Sequence, residues 1–318
     1  MTNIPGEPRI AVVIPCYNEA LAVPSVIADF KAILPQASIH VFDNNSTDGT
    51  GKVARTCGAS VTHVQLRGKG NVVRRMFADV DADIYVMVDG DATYDITQAQ
   101  HMVDLLRDNM LDMVVGCRVD DGKNQATYRP GHRLGNQLLT GSVLKLFGGQ
   151  FTDMLSGYRI FSRRYVKSFP ATARGFETET ELTVHALELR MPYAEVETRY
   201  LSRPEGSESK LSTFRDGWRI LKTILQLFIS ERPLAFFAIV AAVLAALSIG
   251  LATPLAITYL QTGLVPRLPT AVLATGGMLS AMLSLVCGAV LNTVTIGRRE
   301  MKHLVYLGIP TSHHAPRG

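Results

Sequence analysis

Along roughly the first two hundred residues, apolar positions fall into short runs separated by longer stretches in which they recur every three or four residues. The runs RIAVVI, SIHVF, SVTHVQL, DIYVMV and MVVG predict strands. The intervening spacing predicts helices over about Glu19–Leu34, after a cap at Ser46 or Thr47, over about Lys69–Val80, and over about Gln98–Asn109 with Thr97 as cap. Such alternation implies an α/β domain with a mostly parallel sheet and helices on both faces. Ligands bind such sheets beyond the carboxyl ends of the strands. The polar stretches IPCYNE, DNNSTDGT, RGKG and DGDATYD follow the first four strands in turn.

The pattern changes after residue 212, and the chain divides into 1–212, 213–232, 233–298 and a tail at 299–318. Phe214, Trp218, Leu221, Ile224, Leu225 and Phe228 recur at helical spacing with Arg215, Arg219 and Lys222 interleaved, as in a helix lying in a membrane interface. Two apolar stretches follow, about Leu234–Leu260 and about Leu268–Ile296, each longer than the roughly 20 residues that span a bilayer. Pro254 marks a kink or an end in the first. Arg215, Arg219, Lys222 and Arg232 precede the hairpin, Arg298, Arg299 and Lys302 follow it, and the turn has only Arg267, so both termini are expected in the cytoplasm. Small residues step by four along each stretch: Ala238, Ala242, Ala246 and Gly250, then Gly276, Ser280, Ser284 and Gly288. These faces are expected to pack, either within one hairpin or between protomers of a homo-oligomer.

Composition adds little to this picture. The 318 residues carry a formal charge of +4 and are 47% hydrophobic. Cys16, Cys57, Cys117 and Cys287 lack metal-like or paired spacing and read as reduced thiols. The first residues have no apolar core of the signal-peptide kind, and no nucleic-acid partner is expected.

The candidate chemistry centres on VMVDGDATYD, where a buried run ends in Asp89, Asp91 and Asp95. Asp89 and Asp91 stand two apart, so both carboxylates reach one small volume, where uncompensated charge would push one towards protonation. A divalent cation resolves the conflict, because Mg²⁺ or Mn²⁺ takes one or two protein carboxylates and completes its shell with phosphate and water. Asp95 is expected to shape the turn and cap the following helix. A dinucleotide fold requires G-x-G-x-x-G after a strand; the approach to it, GKGNVV, has Val73 at the third glycine position.

IPCYNEA, VFDNNSTDGT, RGKGNVVRRMF and MVDGDATYD, in that order, resemble the family-2 glycosyltransferases of GT-A fold, which transfer sugar from a nucleotide diphosphate sugar. The resemblance covers about the first 165 residues. It implies that Pro15, Tyr17, Glu19 and Asp43 line the nucleoside pocket, that Lys69 lies near the diphosphate and that Asp89 and Asp91 form the metal site. Many relatives have two acids where this chain has Asp43 followed by Asn44.

Farther on, the 118–164 segment carries Arg118, Arg129 and Arg133, and SRPEGSESKLSTFRDGWRIL adds Arg203 and Lys210. Arginine forks suit phosphate; Arg118 is assigned to the donor, and Arg129, Arg133, Arg203 and Lys210 to an acceptor phosphate. The two segments resemble polyprenyl-phosphate glycosyltransferases of the dolichyl-phosphate mannose synthase and undecaprenyl-phosphate glucosyltransferase type, in which a GxSKL motif (here GSESKL, Gly206–Leu211) precedes a helix on the membrane. Asp153 of TDMLSGYR matches the family's D-x-x-S-G position and is assigned, with Asp91, to the catalytic group. Glu177, Glu179 and Glu181 of FETETEL form a helix N-terminal cluster, one of which faces the site.

A polyprenyl phosphate is largely a dianion at neutral pH and needs no strong base to attack the anomeric carbon. The expectation is therefore an inverting, metal-dependent transfer of a hexose, from a UDP-hexose first, to undecaprenyl or dolichyl phosphate at the cytoplasmic leaflet of the inner membrane. GDP-mannose, UDP-N-acetylhexosamine and a non-catalytic nucleotide-sugar-binding scaffold stand as alternatives. A processive polysaccharide synthase would carry Q-x-x-R-W and further spans, which the sequence lacks.

Overall fold

A computed structural model describes residues 8–119, 140–201 apart from 146, 174 and 176, residue 222, and 225–310. It divides into two units: Met1–Ile220 with Lys302–Gly318, and Leu221–Met301.

In the first unit the strands are β1 Ile10–Cys16, β2 Ser38–Asp43, β3 Ser60–His63, β4 Ile84–Met87, β5 Met113–Val119, β6 Arg159–Ser162 and β7 Tyr193–Arg199. The helices are α1 Val23–Ile33, α2 Thr50–Thr56, α3 Lys69–Asp79, α4 Ala99–Asp108, α5 Arg163–Ser168 and α6 Thr178–Glu188. One seven-stranded sheet runs in the order β3-β2-β1-β4-β6-β5-β7. All its pairings are parallel except the two made by β6, which runs against β4 and β5. β1 and β4 are hydrophobic and almost wholly buried, which accounts for their unbroken apolar runs. Val12, Ile14, Val86 and Ile160 meet Phe30 of α1 and Met102 of α4 in the core.

All five strands expected from the sequence occur. β6 and β7 were not expected: RIFS is four residues long and YAEVETR carries two glutamates at the sheet edge. The helix caps also differ. Ser46 and Thr47 do not cap α2. Ser46 Oγ accepts from Asn18 N at 3.0 Å and Thr47 N donates to Asn18 Oδ1 at 2.8 Å, while Gly49 at φ 86° occupies the cap position. Thr97 is not a cap either; Asp95 is, accepting from Thr97 N at 3.0 Å at the start of the 3₁₀ turn Ile96–Gln98.

The second unit contains α7, Pro233–Thr262, and most of α8, Leu268–Leu307. Both are long and apolar enough to cross a membrane. α7 runs through Pro254 without ending, and α8 continues past Ile296 to Leu307, so residues 299–307 are helical. In the first unit, the last turns of α8 place Lys302 Nζ 2.6 Å from Glu188 Oε2, and Tyr306 OH donates to Asp112 Oδ2 at 2.6 Å. At the base of the hairpin, Arg298 Nη2 donates to Glu231 Oε1 at 2.6 Å and Arg299 Nη2 to the Glu231 carbonyl at 2.9 Å.

Of the expected four-step stripes, Gly288 is buried in this hairpin and Ala238 and Ser284 are half-buried, but the stripes as a whole are not its packing face. The buried positions instead step by seven: Ala241 and Ser248 in α7, and Ala274, Ala281, Gly288 and Thr295 in α8. Ala242, Ala246, Gly250, Gly276 and Ser280 are exposed. Antiparallel helices crossing at a shallow left-handed angle keep contact every 3.5 residues, whereas a four-step row winds away from the partner. A Cβ on Gly288 would lie 2.8 Å from Phe237 Cβ and 3.4 Å from Leu234 Cα, while one on Gly276 would meet nothing within 4 Å. Gly288→Leu is therefore expected to lower the melting temperature in detergent, by an overpacking cost of about 1–3 kcal/mol. Gly276→Leu should melt with the wild type, and equal losses in the two variants would contradict this packing.

Candidate active site

The loops after β1 and β2 are laced together. Asn44 N donates to Cys16 O at 2.8 Å, Glu19 N to Thr50 Oγ1 at 2.9 Å and Ala20 N to Asp48 Oδ2 at 3.0 Å. Burial raises the pKa of Asp48, but the hydrogen bonds from Thr50 and the Ala20 and Thr50 amides outweigh it and hold the carboxyl below its usual range. Pro15 and Cys16 pair in register with Phe42 and Asp43, so Tyr17 and Asp43 emerge from neighbouring strand ends. Asp43 is largely buried, accepts from Ser46 N at 3.1 Å and lies 3.8 Å from His63 Nδ1. The Arg67 guanidinium covers the Tyr17 ring at 5.3 Å.

Asn44, the residue after Asp43, has a role that a carboxylate cannot fill. Its amide donates to Val64 O at 3.2 Å and Leu66 O at 2.7 Å and accepts from Gly68 N at 2.8 Å, all within a 6% exposed side chain. It thereby fixes the loop that launches α3 and Lys69. Asn44→Asp would set a carboxylate against two carbonyls. The expected result is a loss of about 3 kcal/mol in stability with weakened nucleotide binding, read by melting and calorimetry; unchanged melting would refute this role.

Lys69, the first residue of α3, is 10% exposed in its side chain and bridges two acids. Its Nζ lies 2.5 Å from Asp89 Oδ1 and 2.6 Å from Glu179 Oε1. Burial opposes the ammonium charge, but Asp89 and Glu179 overcome it and drive the Lys69 pKa well above its ordinary value. Of the three glutamates at the start of α6, Glu179 is thus the one that reaches the Lys69–Asp89 pair. Glu181 instead accepts from Thr172 N and Ala173 N, each at 2.9 Å, and Glu177 Oε1 from Gly175 N at 3.1 Å.

Asp91 is 7% exposed, and its Oδ1 accepts from Thr93 Oγ1 at 2.6 Å and Thr93 N at 3.3 Å. Gly90, between the two acids, has a packing reason: a Cβ there would overlap Cys16 Sγ. Gly157 of the D-x-x-S-G segment lies so close to Asp89 that a Cβ would overlap its carboxylate, and Gly157 N donates to Tyr94 OH at 2.8 Å. This closeness follows from the reversal of β6, whose first residue, Arg159, pairs with Met87 at the carboxyl end of β4.

Asp153 is 5% exposed and grips Arg118 as a fork, accepting from Nε at 2.7 Å and Nη2 at 2.8 Å. Arg118 also lies over Tyr200 at 5.6 Å. Arg159, fully buried, donates from Nε to Ser156 O at 2.9 Å and from Nη2 to Met154 O at 2.5 Å, and so shapes the turn between Asp153 and Gly157. Its burial lowers its pKa from the usual arginine value. Nothing in the sequence pattern marked it for this role.

The structure therefore joins Lys69, Asp89 and Glu179, and separately Arg118 with Asp153. Arg129, Arg133, Arg203, Lys210 and the Gly206–Leu211 motif lie outside the described residues. A metal fits the donor set at the end of β4. Asp89 and Asp91 supply two carboxylates two residues apart, and among the described residues no group of three or more His, Cys, Asp or Glu could hold a metal ion by itself, so a cation here would be completed by substrate phosphate and water.

Residues 11–169 match the family described as Glycosyl transferase family 2. Over 303 residues the chain is 32% identical to Glycosyltransferase AglJ of Haloferax volcanii, covering 95% of this chain and 99% of that one. A dolichyl-phosphate hexose transferase of the same organism is 30% identical over 70% of this chain and 95% of its own. Among solved structures, glucosyl-3-phosphoglycerate synthase from Mycobacterium tuberculosis, in complex with Mn²⁺, UDP-glucose and phosphoglyceric acid, superposes with a TM-score of 0.53 at 22% identity, over 69% of this chain and 79% of that one.

Proposed function

Because the chain belongs to glycosyl transferase family 2, we propose that it transfers a hexose from a nucleotide diphosphate sugar, a UDP-hexose first, to a polyprenyl phosphate at the cytoplasmic face of a membrane. The observation that carries this reading is the Lys69–Asp89 pair with Asp91 at the carboxyl end of β4, in a chain with two helices of bilayer-spanning length. The relative named dolichyl-phosphate hexose transferase supports the acceptor class.

In this reading Pro15, Tyr17, Glu19 and Asp43 hold the nucleoside and Lys69 faces the diphosphate. Asp89 and Asp91 would hold Mg²⁺ or Mn²⁺, which when bound neutralises charge on the departing diphosphate. A phosphate oxygen of the acceptor attacks the anomeric carbon as the bond from that carbon to the diphosphate oxygen breaks, with inversion. The forked contact with Arg118 suits Asp153 to orienting that guanidinium at the donor rather than to abstracting a proton. Arg129, Arg133, Arg203 and Lys210 receive the lipid phosphate.

Cytoplasmic topology is supported by the basic residues at the outer ends of the hairpin. It is also supported by Lys302 and Tyr306, which belong with the catalytic domain in one unit. The test offers UDP-hexoses, GDP-mannose and UDP-N-acetylhexosamine with undecaprenyl phosphate and Mg²⁺ or Mn²⁺, and reads lipid-linked product. Sugar transfer from none of these donors would overturn the proposal. Arg133→Ala and Arg203→Ala should raise the apparent KM for lipid phosphate and leave nucleotide affinity unchanged; the reverse result would remove them from the acceptor site.

A further inference from the structure

The site contains one more ionised group than donor and metal binding calls for. Glu179 lies on α6, far in sequence from Asp89 and Lys69, and its side chain is 6% exposed. The approach is built in: a Cβ on Gly70 would overlap Ala173 O and would lie 2.7 Å from Thr178 Oγ1, so only glycine lets the first turn of α3 meet that of α6. A carboxylate taken this far from water is costly unless it is paired. Lys69 meets that cost through Glu179 Oε1, yet Oε2 is buried with no hydrogen-bond partner among the described residues. Glu179 therefore has spare acceptor capacity beside an ammonium that it already shares with Asp89.

We propose that Glu179 is a positioning residue, a second seat for the Lys69 ammonium that lets Asp89 be released to a divalent cation. The proposal rests on the reading of Asp89 and Asp91 as the cation-binding pair. With both seats present, Lys69 shifts its weight onto Glu179 when Asp89 is engaged elsewhere, and no charge is stranded. Without Glu179, Asp89 is the sole anionic partner of a buried ammonium among the described residues, and an arriving cation must displace it.

The test is a double-mutant cycle read by Mn²⁺ affinity, with no turnover required. Full-length chain in detergent is titrated with Mn²⁺ alone, and the free ion is followed by electron paramagnetic resonance. Glu179→Gln is expected to weaken Mn²⁺ binding about tenfold, or 1.4 kcal/mol. In a Lys69→Met background, where nothing competes for Asp89, adding Glu179→Gln is expected to change affinity less than about threefold, or 0.7 kcal/mol. The double variant loses one charge of each sign, and its melting temperature reports whether it is folded. Equal weakening in both backgrounds would mean that Glu179 attracts the cation merely as a negative charge, and would overturn the proposal. So would wild-type affinity in Glu179→Gln. If the wild-type chain itself binds no Mn²⁺, the metal reading of Asp89 and Asp91 fails, and this proposal with it.

Discussion

Asp91→Asn is expected to leave a folded protein that has lost sugar transfer by about 10³-fold or more, equivalent to about 4 kcal/mol of transition-state stabilisation. The fold should survive because the bonds from Thr93 N and Thr93 Oγ1 fall on Asp91 Oδ1, and an asparagine oxygen accepts them equally well. What disappears is a carboxylate charge at the end of β4, where Asp89 is already engaged with Lys69. The control is Asp95→Asn. Asp95 caps the 3₁₀ turn and should alter turnover only a few-fold. The measurement is product formation at saturating Mg²⁺ or Mn²⁺, with melting as the check on folding. Near-normal turnover in Asp91→Asn would remove Asp91 from the metal site.

Asp153→Ala is the second change with a large expected effect, and it acts on both stability and activity. It strands the Arg118 guanidinium, whose side chain is only 17% exposed, without its forked partner. Breaking one half of such a pair costs about 3 kcal/mol or more, because the remaining charge stays desolvated. A fall in melting temperature with a transfer loss of about 100-fold is expected. Arg118→Ala combined with Asp153→Ala should recover much of the stability, because no charge is stranded, and recover none of the activity. If the double variant melts no higher than Asp153→Ala alone, the pair is not what holds this corner of the site. If it transfers sugar normally, neither residue serves the reaction.

Much of this organisation was legible in the chain. The apolar runs located β1 to β5, since strands buried on both faces need unbroken hydrophobic sequence and strand ends need polar loops. The D-G-D stretch marked the carboxyl end of β4 because clustered acids cannot continue a buried apolar strand. The two spans were legible because bilayer crossing demands length and apolarity, both one-dimensional properties. Asp95 read correctly as a cap because capping is local.

What the sequence could not supply depends on groups distant along the chain meeting in space. The reversed direction of β6 brings Gly157 against Asp89, and no periodicity announces a strand's direction. Asn44 looked like a departure from a motif; only the positions of Val64 O, Leu66 O and Gly68 N reveal that an amide is required. Three glutamates at alternate positions of FETETEL were equivalent as letters, and the close approach of α3 and α6 at Gly70 selects Glu179. In the hairpin, the four-step stripe of small residues was real as a pattern, but helix pairing follows a 3.5-residue spacing, which buries Ala274, Ala281 and Thr295 and, of the stripe in α8, Gly288. Sequence by itself determined what is local: strand ends, the Asp95 turn, spans and the clustered acids. The tertiary structure decided which charge meets which, because a buried ion pair is settled by the desolvation and geometry of both partners at once.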